Sequence, residues 1–137
     1  MTLLDTLNNS DHFAQINGIQ LTEIREGYAR AEMTVTDKHI NGGGVCQGGA
    51  IFTLADLAFA AVCNSHGLLT LGINNSISFL RSAKLGDHLT AIATEVCNHP
   101  RLPYCDIKVY NQDNELIATA NGQAYRKKDL FPFSSLM

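Results

Sequence analysis

One carboxylate is set apart by its surroundings. Asp56 is the only Asp, Glu, Lys or Arg between Lys38 and Arg81, and it sits inside the apolar run Ala50–Cys63. On a helix, its neighbours three and four positions away are Phe52, Thr53, Phe59 and Ala60, and none can pair with it. It lies two turns past Gly48, too deep to cap that helix or draw on its N-terminal dipole. Taking an unpaired carboxylate out of water is costly, so two readings stay open. Either Asp56 meets solvent or a distant donor at a seam, or it occupies an apolar cleft with its pKa raised. In the second case it can act as general base or nucleophile.

Gly48-Gly49, at the start of the same run, is the second chemical feature. A helix N-terminus offers unpaired N–H donors and partial positive charge, which suit a developing oxyanion; a tight turn into the helix is the plainer reading. Cys46 precedes that start, where a thiol can become acidic, but neither His39 nor His66 is placed beside it by spacing. His12, His39, His66, His88 and His99 show no metal-ligand spacing, so no metal site is expected. The loop Gly42-Gly43-Gly44 lacks the Lys-Ser/Thr of a phosphate loop and the GxGxxG of a dinucleotide fold.

These residues need elements to hold them. Gly48–Ser65 reads as one long helix, with Gly67 placed to end it. Thr2–Gln15 suits one or two short helical turns, and Asn17-Gly18 marks a turn. Ile19–Val35 alternates, with Ala29, Ala31, Met33 and Val35 on one side and a hairpin turn at Glu26-Gly27. Further strands are expected over 68–80, 88–98, 104–110 and 115–125, joined by short connections that favour antiparallel neighbours. The helix, apolar all round, has to be covered by a sheet that curls around it, by a second copy, or by both. The fold class is therefore α+β, one helix on one antiparallel sheet.

At 137 residues the chain is expected to be a single domain, 1–137, with 45% hydrophobic and 17% charged residues. A net charge of −3 gives no overall basic footprint, so no nucleic-acid partner is expected. No run reaches the ~18 apolar residues of a membrane helix, so no membrane partner is expected either. Met1–Asp11 carries Asp5 and no Lys or Arg, and the four cysteines show no CxxC. Both features lead to the expectation of a cytoplasmic, reducing setting.

Asn41, Gln47-Gly48-Gly49, Leu54-Ala55-Asp56 and Asn64-Ser65, followed by Phe79-Leu80-Arg81, together resemble the hotdog-fold acyl-CoA thioesterases of the phenylacetate-degradation (PaaI-like) group. The resemblance implies a curved antiparallel sheet wrapped around one long central helix, in a homodimer or homotetramer with sites across the dimer interface. It implies hydrolysis of an aryl or medium-chain acyl-CoA thioester, with coenzyme A as part of the substrate and no cofactor. Residue by residue, Asp56 matches the catalytic carboxylate, Gly48 and Gly49 the pair that binds the thioester carbonyl, and Asn41 the active-site loop Asn.

Gln47, Phe79, Arg81, Ser82 and Lys84 are expected to bind substrate. Arg81, Lys84 and the run Arg126-Lys127-Lys128 are candidates for the coenzyme A phosphates, and Phe52, Phe59 and Phe79 for an acyl pocket. The group usually has His where Gln47 stands; glutamine can donate a hydrogen bond but cannot titrate. Many relatives place Ser or Thr after the helix, where this chain has Gly72, with Thr70 two positions away. Pro often follows Phe-Leu-Arg, where Ser82 stands here. The competing reading is a non-catalytic acyl-CoA-binding module. It would need a partner domain or tail to regulate, and the short end 129–137 favours the enzyme.

Overall fold

The computed structural model describes residues 1–137. Two short helices, α1 (Leu3–Ser10) and α2 (His12–Ile16), precede a hairpin of β1 (Gln20–Arg25) and β2 (Tyr28–Thr34). A loop with one 3-10 turn (Asp37–His39) leads to α3 (Gly48–Asn64). Strands β3 (Leu68–Phe79), β4 (His88–Cys97), β5 (Tyr104–Tyr110) and β6 (Leu116–Leu130) complete the chain. All six strands form one antiparallel sheet in the order β1-β2-β4-β5-β6-β3. No helix is long and apolar enough to cross a membrane.

The sheet curves because its concave face carries small side chains under a large helix. Ala29 and Ala31 of β2 stand opposite Ala93 and Ala91 of β4, and all four are fully buried. Over this floor α3 inserts Ile51, Leu54, Leu57, Ala58 and Val62, and it touches every strand of the sheet. Leu54 is fully buried, so its removal would open a cavity of the kind that costs about 2–5 kcal/mol. Gly67, with φ at 86°, turns the chain out of α3 in a left-handed conformation that favours glycine.

Two features depart from the expectation. Strand β6 continues to Leu130, well beyond residue 125, although Arg126–Asp129 shows no alternation. The extension follows from pairing with β3, where Thr70 faces Arg126 and Leu68 faces Leu130. And β3 and β4, though joined by the short connection 80–87, are not neighbours: β3 sits on the outer edge against β6. The connection instead runs across the end of the sheet. Leu80 N–H and Arg81 N–H donate to the Ile117 carbonyl, Cys46 N–H donates to Ala83, and Val35 N–H to Asp87. That path brings Arg81–Lys84 beside the loop that enters α3.

Candidate active site

The apolar run folds as α3 because its residues bury well on the sheet, yet Gly49, Phe52, Thr53 and Asp56 fall on the side the sheet does not reach. These four, with Asp11 and Phe13 from the α1–α2 corner, line a cleft of about 360 Å³. In the single chain Asp56 is exposed at this cleft rather than enclosed by the core. Even so, its carboxyl is pushed up from the ordinary carboxylate value near 3.8, first by desolvation and second by the like charge of Asp11. Thr53 is committed locally: its hydroxyl donates to the Gly49 carbonyl at 2.8 Å. Asp11 and Phe13 were not anticipated as site residues. The signal in the sequence was slight, an aromatic residue in an otherwise polar stretch.

The start of α3 presents its donors elsewhere. The helix ladder begins with Ala50 N–H donating to the Gln47 carbonyl at 3.0 Å, so the N–H groups of Gly48 and Gly49 precede the first intrahelical bond. A side chain at Gly48 would push aside the half-exposed Phe79 ring, because a Cβ there would stand 2.9 Å from its tip. Gly48 and Phe79 share a second cleft of about 300 Å³ with Asn41, Ile51, Arg81 and Ser82. Asn41 Oδ1 accepts from Gly43 N–H at 2.9 Å and Val45 N–H at 3.2 Å, which shapes the glycine loop and leaves its amide NH₂ as a donor. Arg81 and Ser82 continue into an outer basin of about 450 Å³ that also holds Lys84, Asp87 and Glu115. Arg81 lies 3.7 Å from Glu115 in an exposed pair, which leaves the guanidinium free to exchange partners.

The predicted residues thus fall into two groups on one chain. Asp56 and Gly49 share one cleft; Asn41, Gly48, Phe79, Arg81 and Ser82 share another, with Lys84 at its outer end. Gln47, exposed at the N-cap, lines a third cleft with Lys38, His39 and Gly49.

Several residues weighed for chemistry are committed to structure. His39 is buried; its Nε2–H donates to the Asn17 carbonyl at 2.8 Å while its Nδ1 accepts from Thr36 N–H at 3.0 Å. Both ring nitrogens are therefore occupied. Burial, and then the charge of Asp87, push the Cys46 thiol up, away from the thiolate a nucleophile needs. His66 bonds Glu95 at 3.0 Å near the opposite end of α3. Thr70 is buried, with its hydroxyl donating to the Leu68 carbonyl and its backbone held by Asn64, so it is not available to orient water. Phe59 is buried against Gly72 and Gly122 and belongs to the core. Arg126 is a correction to the phosphate reading: it is buried, and it donates to Asn98 Oδ1 at 2.8 Å and the His99 carbonyl at 3.3 Å.

Comparison with known proteins gives a consistent set. The thioesterase superfamily profile matches residues 43–118. A provisionally named esterase of Archaeoglobus fulgidus is 41% identical over 131 residues, covering 96% of this chain and 85% of the relative. The acyl-coenzyme A thioesterase PaaI of Escherichia coli is 38% identical over 117 residues, covering 85% of this chain and 84% of the relative. The structure of the E. coli PaaI protein, from the phenylacetic acid degradation operon, superposes with a TM-score of 0.89 at 36% identity. That match covers 92% of this chain and 91% of the other. A Streptococcus mutans structure bound to acetyl-CoA gives a TM-score of 0.78 at 28% identity, covering 82% and 90%.

Proposed function

The chain belongs to the thioesterase superfamily, and from that premise we propose that it hydrolyses an acyl-CoA thioester with Asp56 as the general base, in a site completed by a second copy of the chain. The observation that carries the reading is Asp56 itself: a carboxylate without a cationic partner in a cleft with Phe13 and Phe52, its proton affinity raised by desolvation and by Asp11. A base whose affinity lies closer to working pH both takes a proton from water and returns it efficiently.

The second copy follows from helix geometry. Asp56 stands eight residues beyond Gly48, roughly 12 Å along the axis at 1.5 Å per residue. One thioester carbonyl cannot meet both groups of one chain, since each needs contact near ~3 Å. Two copies related by a twofold axis can oppose Asp56 of one to Gly48 and Gly49 of the other.

In the proposed step, Asp56 takes a proton from water as the water oxygen bonds to the thioester carbon. The carbonyl oxygen becomes an oxyanion held by the Gly48 and Gly49 N–H groups, with Gln47 and Asn41 amides as further donors. Collapse breaks the C–S bond, and the protonated Asp56 returns its proton to the departing thiolate. The products are a free acid and coenzyme A. Phe13 and Phe52 beside Asp56 support an aryl or medium-chain acyl group, and the Phe79 cleft, with Asn41 and Ser82 on its wall, suits the slender pantetheine arm of coenzyme A. Arg81, Ser82 and Lys84 lie where the phosphates would follow.

The test is a panel of aryl- and alkyl-CoA thioesters assayed with the parent protein and Asp56→Asn. Turnover is expected to fall by orders of magnitude while coenzyme A binding persists. Equal rates in both proteins would end the assignment of Asp56. Tight binding without turnover in the parent as well would favour a non-catalytic acyl-CoA-binding module.

A further inference from the structure

The α1–α2 corner lies outside residues 43–118, the part of the chain that matches the thioesterase superfamily profile. It is nevertheless held firmly against the body of the fold. Asn8 exchanges two hydrogen bonds with the backbone of Leu21, at 2.8 and 3.0 Å. Ala14 is buried, and the Asn17 carbonyl is gripped by His39. Between these anchors stands Asp11, which ends α1 and caps α2: its Oδ1 accepts from Ala14 N–H at 3.0 Å. The same side chain lines the cleft of Asp56.

Resting on the assignment of Asp56 as base, we propose that Asp11 is a positioning residue of the active site, a fixed negative charge that acts on Asp56 through the cleft. Capping alone does not call for a charge, because asparagine and serine cap a helix as well as aspartate. Placement in this cleft gives the charge a function. Two carboxylates that line one cleft resist ionising together, and the like charge of Asp11 adds to desolvation in pushing the Asp56 carboxyl up.

Besides Asp56 itself, Asp11 is the one charged residue lining this cleft. Lys38 and His39 border the adjoining cleft across Gly49 and Thr53, and His39 has both nitrogens bonded. Glu95, paired with His66, and Arg126 act on Cys63 near the far end of the helix. Asp11 therefore adds its charge to desolvation in raising the base toward working pH, and an uncharged residue there would leave Asp56 a weaker proton acceptor.

Two variants separate charge from cap. Asp11→Asn keeps the cap and removes the charge; Asp11→Ala removes both. The acid limb of the kcat/KM–pH profile, where Asp56 must lose its proton, is expected to move to lower pH in both variants. Only Asp11→Ala is expected to lower Tm as well. Carbon-13 NMR titration of the Asp56 carboxyl in labelled protein is expected to give the same displacement without reference to turnover. The gap between parent and Asp11→Asn is expected to narrow at high salt. An unchanged NMR midpoint for Asp56 in Asp11→Asn overturns the inference. If the NMR midpoint moves but Asp56→Asn retains parent turnover, the coupling between the carboxylates stands and the catalytic assignment falls, taking the role of Asp11 with it.

Discussion

At the scale of single residues, Asp56 works against the stability of the fold that carries it. Its folded-state proton affinity is raised, first by desolvation and second by Asp11, so the ionised form is the one the structure disfavours. The sign follows from proton linkage. Below the ordinary value near 3.8 the group is protonated in both folded and unfolded states and there is no penalty. As pH rises through the folded-state pKa the penalty grows, and above it the full penalty remains. Asp56→Asn is therefore expected to melt above the parent at pH 7, by about 1–3 °C because solvent at the cleft mouth keeps the effect small. The gap should close on acidification toward pH ~4. A variant that melts below the parent at neutral pH would contradict this account. Activity and stability are thus expected to change in opposite directions at one side chain, as happens where a site is built from a strained or poorly solvated group.

At the scale of elements, the edge pair β3–β6 is shaped by glycine. Asn75 of β3 pairs with Gly122 of β6, and the buried ring of Phe59 from α3 rests against the same spot. A Cβ at Gly122 would stand 2.3 Å from Asn75 Oδ1 and 2.9 Å from two atoms of the Phe59 ring. Asn75 can swing away; the ring, locked in the core, cannot do so cheaply. Gly122→Ala is expected to cost about 1–3 kcal/mol, read as a lower urea midpoint with an unchanged m-value. Gly72→Ala is the milder control, since a Cβ there would be 3.1 Å from Phe59. A neutral Gly122→Ala would mean that Phe59 is free to move and that α3 is less tightly seated on the edge than the geometry indicates.

For the molecule as a whole, the outer edge is the unfinished part. Strand β3 is 12 residues long with no partner on one side, and along it and its exit Leu71, Ile73, Phe79 and Leu80 are each at least half exposed. A long apolar edge of this kind invites pairing with another strand. The shared site proposed above requires that such association oppose the two clefts that one chain keeps apart. Sedimentation is expected to give the mass of a dimer or tetramer, and a stable monomer would refute the shared site.

A sharper check is complementation. Asp56→Asn and Gly48→Pro, which removes the N–H of the first helical residue where proline is tolerated, are each expected to be inactive alone. Refolded as an equal mixture, half of the dimers pair one variant with the other, and each such dimer carries one intact site. About one quarter of parent activity should return. Sites contained within single chains would restore none.

The long helix, the hairpin, the alternating strands and the isolation of Asp56 were all readable from short windows. Each depends on spacing along the chain: apolar residues without interruption over α3, period-two burial in β2 and β5, glycine past the helix end. The place of β3 was not readable, because its partners on β6 lie about forty to sixty residues away and their pairing depends on backbone hydrogen bonds that any side-chain pattern can make. The continuation of β6 through Arg126–Leu130 was hidden for the same reason. Arg126 read as a surface cation until Asn98 and His99 were seen to enclose it. Asp11 lay in a stretch that read only as short helical turns until the α1–α2 corner folded back over α3. A residue's chemistry is written in its type, but its electrostatic environment is set by whichever distant segments the closed chain brings within a few ångströms.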